Sequence, residues 1–276
     1  MISTLRYIAG HRLNRGRVLP AWGRFVRWQL VSRIKREVEV PWIDGAKLIV
    51  RRGMTGATGN IYCGLHEFED MALLLHLLAP GDSFVDAGAN IGSYTILAAK
   101  VCGARVDAFE PDPGTAASLR KNIAANAVGG LVSVHEAALG EAPGSIRFTV
   151  GLDTMNHIAG AGEAGRDVPM VRLDDFALTP TLMKFDLEGF EGPAFRAAHA
   201  TLAHPGLIAV ITELADAEVG AIMAQHGFVR RHYDPMTRKL SEASDDAANA
   251  LFVRDPAALE ARTAAAPRRR INGVTF

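Results

Sequence analysis

The chain has 276 residues, 49% of them hydrophobic, and its 30 Lys and Arg balance 30 Asp and Glu. That is enough to bury one large core, an α/β domain with an appendage, without a split into two domains. Cys63 and Cys102 stand far apart with no CxxC pair and no metal-like histidine spacing, which excludes a disulfide framework and a zinc site and points to the cytoplasm. No apolar run approaches the roughly 18 to 20 residues of a membrane span, and none near the start matches the apolar segment of a signal peptide.

The charge is unevenly spread: nine of the basic residues and no acid fall in residues 1–36, leaving 21 against 30 in the rest. From Trp22 this arm places Trp22, Val26, Leu30 and Ile34 at helical spacing, with Arg24, Arg27 and Lys35 mostly off that stripe. One reading packs the stripe on the body and solvates the opposite side. The sharper one brings a basic helix to an anionic membrane surface, a peripheral position, or to a phosphate-bearing substrate. No zinc-finger or RRM pattern is present and the body is not basic, so no nucleic acid partner is expected.

Next in the chain, Met71 to Pro80 reads as a core-facing helix in which His76 is structural. Strand and helix then alternate: Ser83 to Asp86, Tyr94 to Val101, Arg105 to Phe109, Pro113 to Ala125 with its proline at the start, and Leu131 to His135. That βαβαβ order implies parallel strands, right-handed crossovers and helices on both faces. Between Gly140 and Val171 the pattern loosens into strand-like pieces, Ile146 to Val150 and Val168 to Val171, around the loop "GAGEAGRD". Alternation resumes with Leu182 to Leu187, the helix Glu191 to Leu202, Leu207 to Leu214 and the helix Ala217 to His226. Phe228 to Tyr233 and Asn249 to Val253 close the sheet, the last as an antiparallel partner. From Ala257 the tail reads as a frayed helix and a disordered end. The expected division is a basic arm with lead-in strands at 1–52, a main domain at 53–256 and a flexible tail at 257–276.

The sharpest signal is "SFVDAGANIGSYT", residues 83–95, in which a strand runs into a bare turn. In open α/β sheets ligands lie outside the carboxyl ends of the strands, and Gly88 and Gly92 leave room for one against the backbone. The turn lacks the GK[ST] of a phosphate loop, and G-x-N-x-G departs from the G-x-G-x-x-G that admits a pyrophosphate. Glu110, in "FEPD" at the end of the next strand, is placed to accept hydrogen bonds from both hydroxyls of a ribose. A ligand with a ribose, a charged amino-acid end and no phosphate fits, namely S-adenosylmethionine.

Together with "AFEPDP", "NIAANAV", "AALGE", "VRLDDF" and "MKFDLEGFEGPAF", this region resembles the FkbM-type family of S-adenosylmethionine-dependent methyltransferases from roughly Gly53 to Leu214. The resemblance implies a Rossmann-like seven-stranded sheet, mostly parallel with an antiparallel last strand, and O-methylation of a hydroxyl on a sugar, glycolipid or natural product. Carried over, it implies that Asp86, Gly88, Ala89, Asn90 and Gly92 line the methionine and ribose side, that Glu110 and Asp112 serve the ribose, and that the segment around Glu67 closes over the cofactor. The arm and the tail lie outside it.

Methyl transfer to a hydroxyl needs alignment and a base near the methyl group. Asp186, at the end of a strand in "KFDLEG", and His157, in "DTMNHI", are the candidates, with Lys184 on the same side of its strand as a charge partner of Asp186. Glu188 and Glu191 suit the start of a helix, and Asp174 and Asp175 suit the capping of a short one. Asp186 and Glu213 both end strands, yet no Asp-Asn pair or histidine completes a metal set, so no metal is expected. A catalytically silent S-adenosylmethionine-binding module and a dinucleotide-dependent oxidoreductase are the alternatives.

Overall fold

The structure is a computed structural model that describes residues 2–149, 163–243 and 248–276. The basic arm forms two helices, α1 (Ile2–Gly10) and α2 (Val18–Ile34), and leads into the hairpin of β1 (Val38–Pro41) and β2 (Lys47–Val50). Two more helices follow, α3 (Thr55–Cys63) and α4 (Phe68–Leu77). The sheet then begins with β3 (Ser83–Ala87), α5 (Ser93–Ile96, continuing as a π turn to Val101), β4 (Arg105–Phe109), α6 (Pro113–Ala125) and β5 (Val132–His135). A small side sheet comes next, β6 (Ala138–Leu139), β7 (Gly144–Thr149) and β8 (Gly165–Val171), in the order β6-β8-β7. The chain returns through β9 (Leu182–Phe185), α7 (Glu191–Arg196), α8 (His199–Ala203), β10 (Ala209–Thr212) and α9 (Ala217–Gln225). It ends with β11 (Val229–Asp234), β12 (Lys239–Glu242), β13 (Ala250–Val253), α10 (Pro256–Ala265) and a last hairpin, β14 (Arg270–Ile271) and β15 (Val274–Thr275).

The central sheet has the order β12-β11-β13-β10-β9-β3-β4-β5. β10, β9, β3, β4 and β5 run parallel, and β13 inserts antiparallel between β10 and β11. This is the expected seven-stranded Rossmann-like arrangement with one more edge strand. β12 escaped the sequence reading because it carries no apolar face: its four residues are exposed or half-buried. The order reverses between β3, whose successors lie on one side, and β9, which joins it from the other, so a crevice opens at the carboxyl ends of these two strands.

Side-chain alternation sorts the sheet into two cores. Phe84, Leu182 and Ile211 face a layer made by α4, α5 and the arm, while Val85, Met183 and Val210 face α7, α8 and α9. The single helix expected from Glu191 to Leu202 is broken at Ala197 and Ala198. Asp174, expected to cap a short helix, does so for one remote in sequence: it accepts from the N–H groups of Ala200 and Thr201, both at 2.9 Å, and so starts α8.

Two expectations fail at the ends. α2 buries Ala21, Phe25, Trp28 and Ser32, with Phe25 edge-on to Tyr62 at 5.3 Å, whereas the stripe of Trp22, Val26, Leu30 and Ile34 faces outward. The helix is apolar on two sides, and its larger aromatic surface takes the core. The tail is not frayed: Asp255 caps α10 by accepting from Ala258 N–H at 2.9 Å, and the buried Arg238 guanidinium donates to the carbonyls of Thr263, Ala266 and Pro267. Phe276 is fully buried against Phe68, at 5.2 Å, and His76. His76, the expected structural histidine, is hydrogen-bonded to Tyr233 Oη at 2.8 Å. Among the described residues no helix is long and apolar enough to cross a membrane.

The tail therefore contributes to the main core, and Phe276→Ala is expected to lower stability by about 3–5 kcal/mol, the cost of emptying a buried aromatic site. Urea unfolding checks this. A loss under about 1 kcal/mol would mean a tail that rests on the body without stabilising it.

Candidate active site

The crevice is built by continuing the β-ladders one residue past their strands. Asp186 N–H donates to Ala87 O at 3.0 Å, and Glu213 N–H donates to Phe185 O at 3.1 Å, which sets the residues after β3, β9 and β10 side by side. The result is a cleft of about 360 Å³ reaching from Asn60 and Glu67 across the Gly turn to Glu110, Asp186 and Glu213.

In the turn, Gly88 and Ala89 N–H both donate to Phe109 O, at 3.0 and 2.9 Å. Gly88 has φ +80°, and a Cβ there would lie 1.9 Å from Asp186 O. The room expected for a ligand at Gly88 is thus taken by the backbone after β9. Gly92, at φ +91°, likewise admits Leu119 of α6, since a Cβ would stand 2.4 Å from Leu119 Cδ1. Both residues still border or support the cleft, but their lack of a side chain serves the packing of the protein on itself. Asn90 turns its N–H to Glu110 Oε2 at 2.9 Å, and Ala89 lines the cleft.

Glu110 is buried and held on both oxygens, Oε1 accepting from Asp112 N–H and Oε2 from Asn90 N–H, each at 2.9 Å. A carboxylate offers about four lone-pair sites, so two remain for a ligand diol. Burial pushes its pKa up to about 7 against the lowering effect of the two backbone bonds. Asp112, expected to touch the cofactor, lies outside the cleft lining: its Oδ2 accepts from Thr115 N–H at 2.7 Å and caps α6.

At the other end of the cleft a buried cation is ringed by acids. Lys184 Nζ donates to Asp186 Oδ2 at 2.6 Å and sits 4.7 Å over the Tyr94 ring. Asp86 stands beside it in the β3 to β9 register and accepts from Thr95 Oγ1 at 2.6 Å; burial lifts its pKa to about 6. Glu67 accepts from Tyr94 Oη at 2.9 Å and from Asn249 Nδ2 at 3.1 Å. Burial alone would lower the Lys184 pKa, but Asp186, Glu67 and Asp86 raise it above its ordinary value. Lys184 is a fixed positive charge and no proton acceptor.

Asp186 and Glu213 form an unequal pair. Burial would raise Asp186, yet the charge and hydrogen bond of Lys184, with a further bond from Glu213, hold it below the usual carboxylate range. Glu213 is exposed at the mouth of the cleft, and partial burial of its carboxyl and then the Asp186 charge push it up to about 7. Glu188, assigned from sequence to a helix start, sits in the preceding turn at φ 51° and completes a cluster with these two. One ligand oxygen from each lies within 4.8 Å of the others, a spacing that a divalent cation could bridge. No linear spacing announces this third carboxylate, which joins the two strand-end acids.

His157 lies outside the described residues. A histidine that the sequence reading passed over, His66, does line the cleft, with Nδ1 2.6 Å from Tyr7 Oη, and burial lowers its pKa so that it is neutral near pH 7. Its only sequence signal is its place in "GLHEFED", because Tyr7 reaches it from 59 positions away.

The methyltransferase FkbM domain model matches residues 86–238, more than half of the chain, and includes Asp86, Glu110, Asp186 and Glu213 but not Glu67. No curated protein matches. Among solved structures, a precorrin-6y C5,15-methyltransferase from Geobacter metallireducens is 15% identical, with 68% of this chain and 87% of that one covered at a TM-score of 0.39. An rRNA methylase from Streptococcus thermophilus is 13% identical, with 66% and 91% covered, also at 0.39. A SAM-dependent O-methyltransferase from Thermotoga maritima is 13% identical, with 66% and 62% covered, again at 0.39. At such scores these names describe those proteins alone.

The Glu110 environment makes a pH prediction. Its folded pKa of about 7 exceeds the ordinary 4.5, so the folded chain holds an extra proton between those values. The stability it contributes is complete below about pH 4.5 and lost as pH rises through 7. Unfolding free energies of the parent and of Glu110→Gln, measured by urea from acid to neutral pH, should therefore converge or cross, the parent losing on the order of 3 kcal/mol relative to the variant. A difference flat with pH would mean that Glu110 titrates in the fold as it does in the unfolded chain.

Proposed function

The chain belongs to the FkbM methyltransferase family, and from that membership we propose that it transfers a methyl group from S-adenosylmethionine to a hydroxyl oxygen of a sugar, glycolipid or natural product. The observation that carries the reading is the placing of a buried, doubly held Glu110 at one end of a cleft and a lysine-fixed set of acids at the other. Glu110 suits the two ribose hydroxyls. Glu67, Asp86 and Asp186 suit the cationic end of the cofactor, and their negative charges exceed the single Lys184. When bound, S-adenosylmethionine supplies an electrophilic methyl group on a sulfonium sulfur.

The residues of the chain then have to align a hydroxyl and take its proton. Asp186, held ionised by Lys184, accepts a hydrogen bond well but is a weak base. Glu213, raised to about 7, is matched to proton transfer near neutrality. We assign orientation of the acceptor to Asp186 and proton removal to Glu213. The oxidoreductase alternative is disfavoured because the turn's G-x-N-x-G departs from the G-x-G-x-x-G that receives a pyrophosphate. A silent binding module would have no use for a carboxyl poised like Glu213.

Calorimetric titration tests the cofactor: S-adenosylmethionine and S-adenosylhomocysteine should bind, NAD should not, and Glu110→Ala should weaken binding by about 1.5–3 kcal/mol. Binding of NAD alone would overturn the reading. For the chemistry, radiolabelled S-adenosylmethionine is supplied to an extract of the source cells and label is followed into lipid, glycan and small-molecule fractions. Labelling should rise with pH through about 7 as Glu213 ionises. Glu213→Gln should cut the rate by roughly 100-fold or more and flatten that profile. A variant with the parent's profile would leave the base elsewhere, with His66 the next side chain to test.

A further inference from the structure

The arm leaves one feature that the methyl-transfer site does not use. On α2, Leu19, Trp22, Val26, Leu30 and Ile34 recur every three or four residues along one side and are 76%, 40%, 54%, 60% and 85% exposed. Five large apolar side chains in a continuous outward row are unusual on a soluble surface and mark a docking face. The opposite side of the same helix is already packed, so the row has no place in the core.

The charge around the row identifies its partner. Arg12 is spent on Glu69 and Asp234, and Arg24 on Tyr62 O and Asn14 Oδ1. Arg15 and Arg17 before the row, Arg27 and Arg33 beside it, and Lys35 and Arg36 after it are exposed and form no ion pair among the described residues. An apolar row on a helix whose charged residues are all cations, with a tryptophan in the row, matches the interface of an anionic bilayer, where acyl chains take the row and lipid phosphates take the cations. A second copy fits less well, since a two-fold contact would set one all-basic border against another.

We propose that the outer face of α2 docks this protein on an anionic lipid bilayer. Behind that face lies a second cavity of about 510 Å³, lined by Arg27, Trp28 and Val31 of α2 and by Val40 and Trp42 of the β1–β2 hairpin. It shares Asn60 with the active-site cleft. This largely apolar chamber carries charges of both signs, Arg24, Arg27 and Arg270 with Glu39 and Asp44, and meets the cleft at its Asn60 end, which would give an amphiphile drawn from the surface a path toward the cleft. The docking itself stands independently of the methyl-transfer reading.

The test is flotation of the full chain with vesicles of phosphatidylcholine alone and of phosphatidylcholine mixed with phosphatidylglycerol. Binding to the mixed vesicles is expected, weakened by added salt, with a blue shift of fluorescence that Trp22→Phe reduces. Val26→Asp/Leu30→Asp should lower vesicle affinity about tenfold or more. These side chains are solvent-facing, so the thermal melt and S-adenosylmethionine titration of the variant should match the parent. No binding to either vesicle, equal binding to both, or equal binding by parent and variant would overturn the proposal. So would a dimer in sedimentation that the double substitution dissolves while vesicles stay unbound, which would make a second copy the occupant.

Discussion

The arrangement of the cleft depends on one buried charge. Lys184 sits in the middle of the sheet, and its ammonium is kept there by the carboxylates of Asp186, Asp86 and Glu67 and by the face of Tyr94. An unpaired lysine in that position would give up its charge, and the acids without it would take up protons. The cation therefore decides which acids are ionised: Asp186, in direct contact, stays charged, while Glu213, one strand farther out, is raised by partial burial and by its neighbour's charge. Two carboxyls one ladder step apart acquire different chemistry from a difference of position.

The Gly turn shows the same economy of space. A side chain at Gly88 would strike Asp186 O and one at Gly92 would strike Leu119, so the turn is bare to let β9 and α6 close in on β3. That closeness brings Asp186 within reach of the floor that Glu110 and Asn90 define. α6 adds a second brace: Asn122 accepts from Ile49 N–H at 2.6 Å and donates to Ile91 O at 2.8 Å, tying the hairpin of the arm to the turn. Asn126 extends the tie to both backbone groups of Lys47. The arm is thus joined by hydrogen bonds to the cofactor floor as well as by its apolar contacts, and α3 between them supplies Asn60, the residue common to both cavities.

What was legible in the sequence is what is decided locally. Arg105–Phe109 and Pro113–Ala125 fall where they were read, because a run of strand formers and an Asp-Pro helix start carry their own conformational preference. The acid after the second strand, the Gly turn and the order of strands are also local, and with the family motifs they were enough to indicate a methyltransferase with a Rossmann-like sheet. The roles of individual residues were less legible. Asp112 looked like a ligand and is a cap, Glu188 looked like a helix start and joins the acid cluster, and His66 and Tyr94 gave no sign of facing the cleft.

Those roles, and the fate of both ends of the chain, belong to tertiary structure because each depends on a partner remote in sequence. Periodicity showed that α2 has an apolar stripe but not which of its two apolar sides would meet Tyr62 and which would meet solvent. The tail is short and breaks into an alanine-rich stretch and an arginine run, so it reads as disordered until the carbonyl of Phe276 finds the buried guanidinium of Arg238, 38 positions away. The sequence by itself determined most strands of the central sheet, their order along the chain and the family, since these follow from neighbouring residues and backbone preference. Only the fold decided ionisation, burial and facing, since a pKa or an exposed surface is a property of what surrounds a group in space.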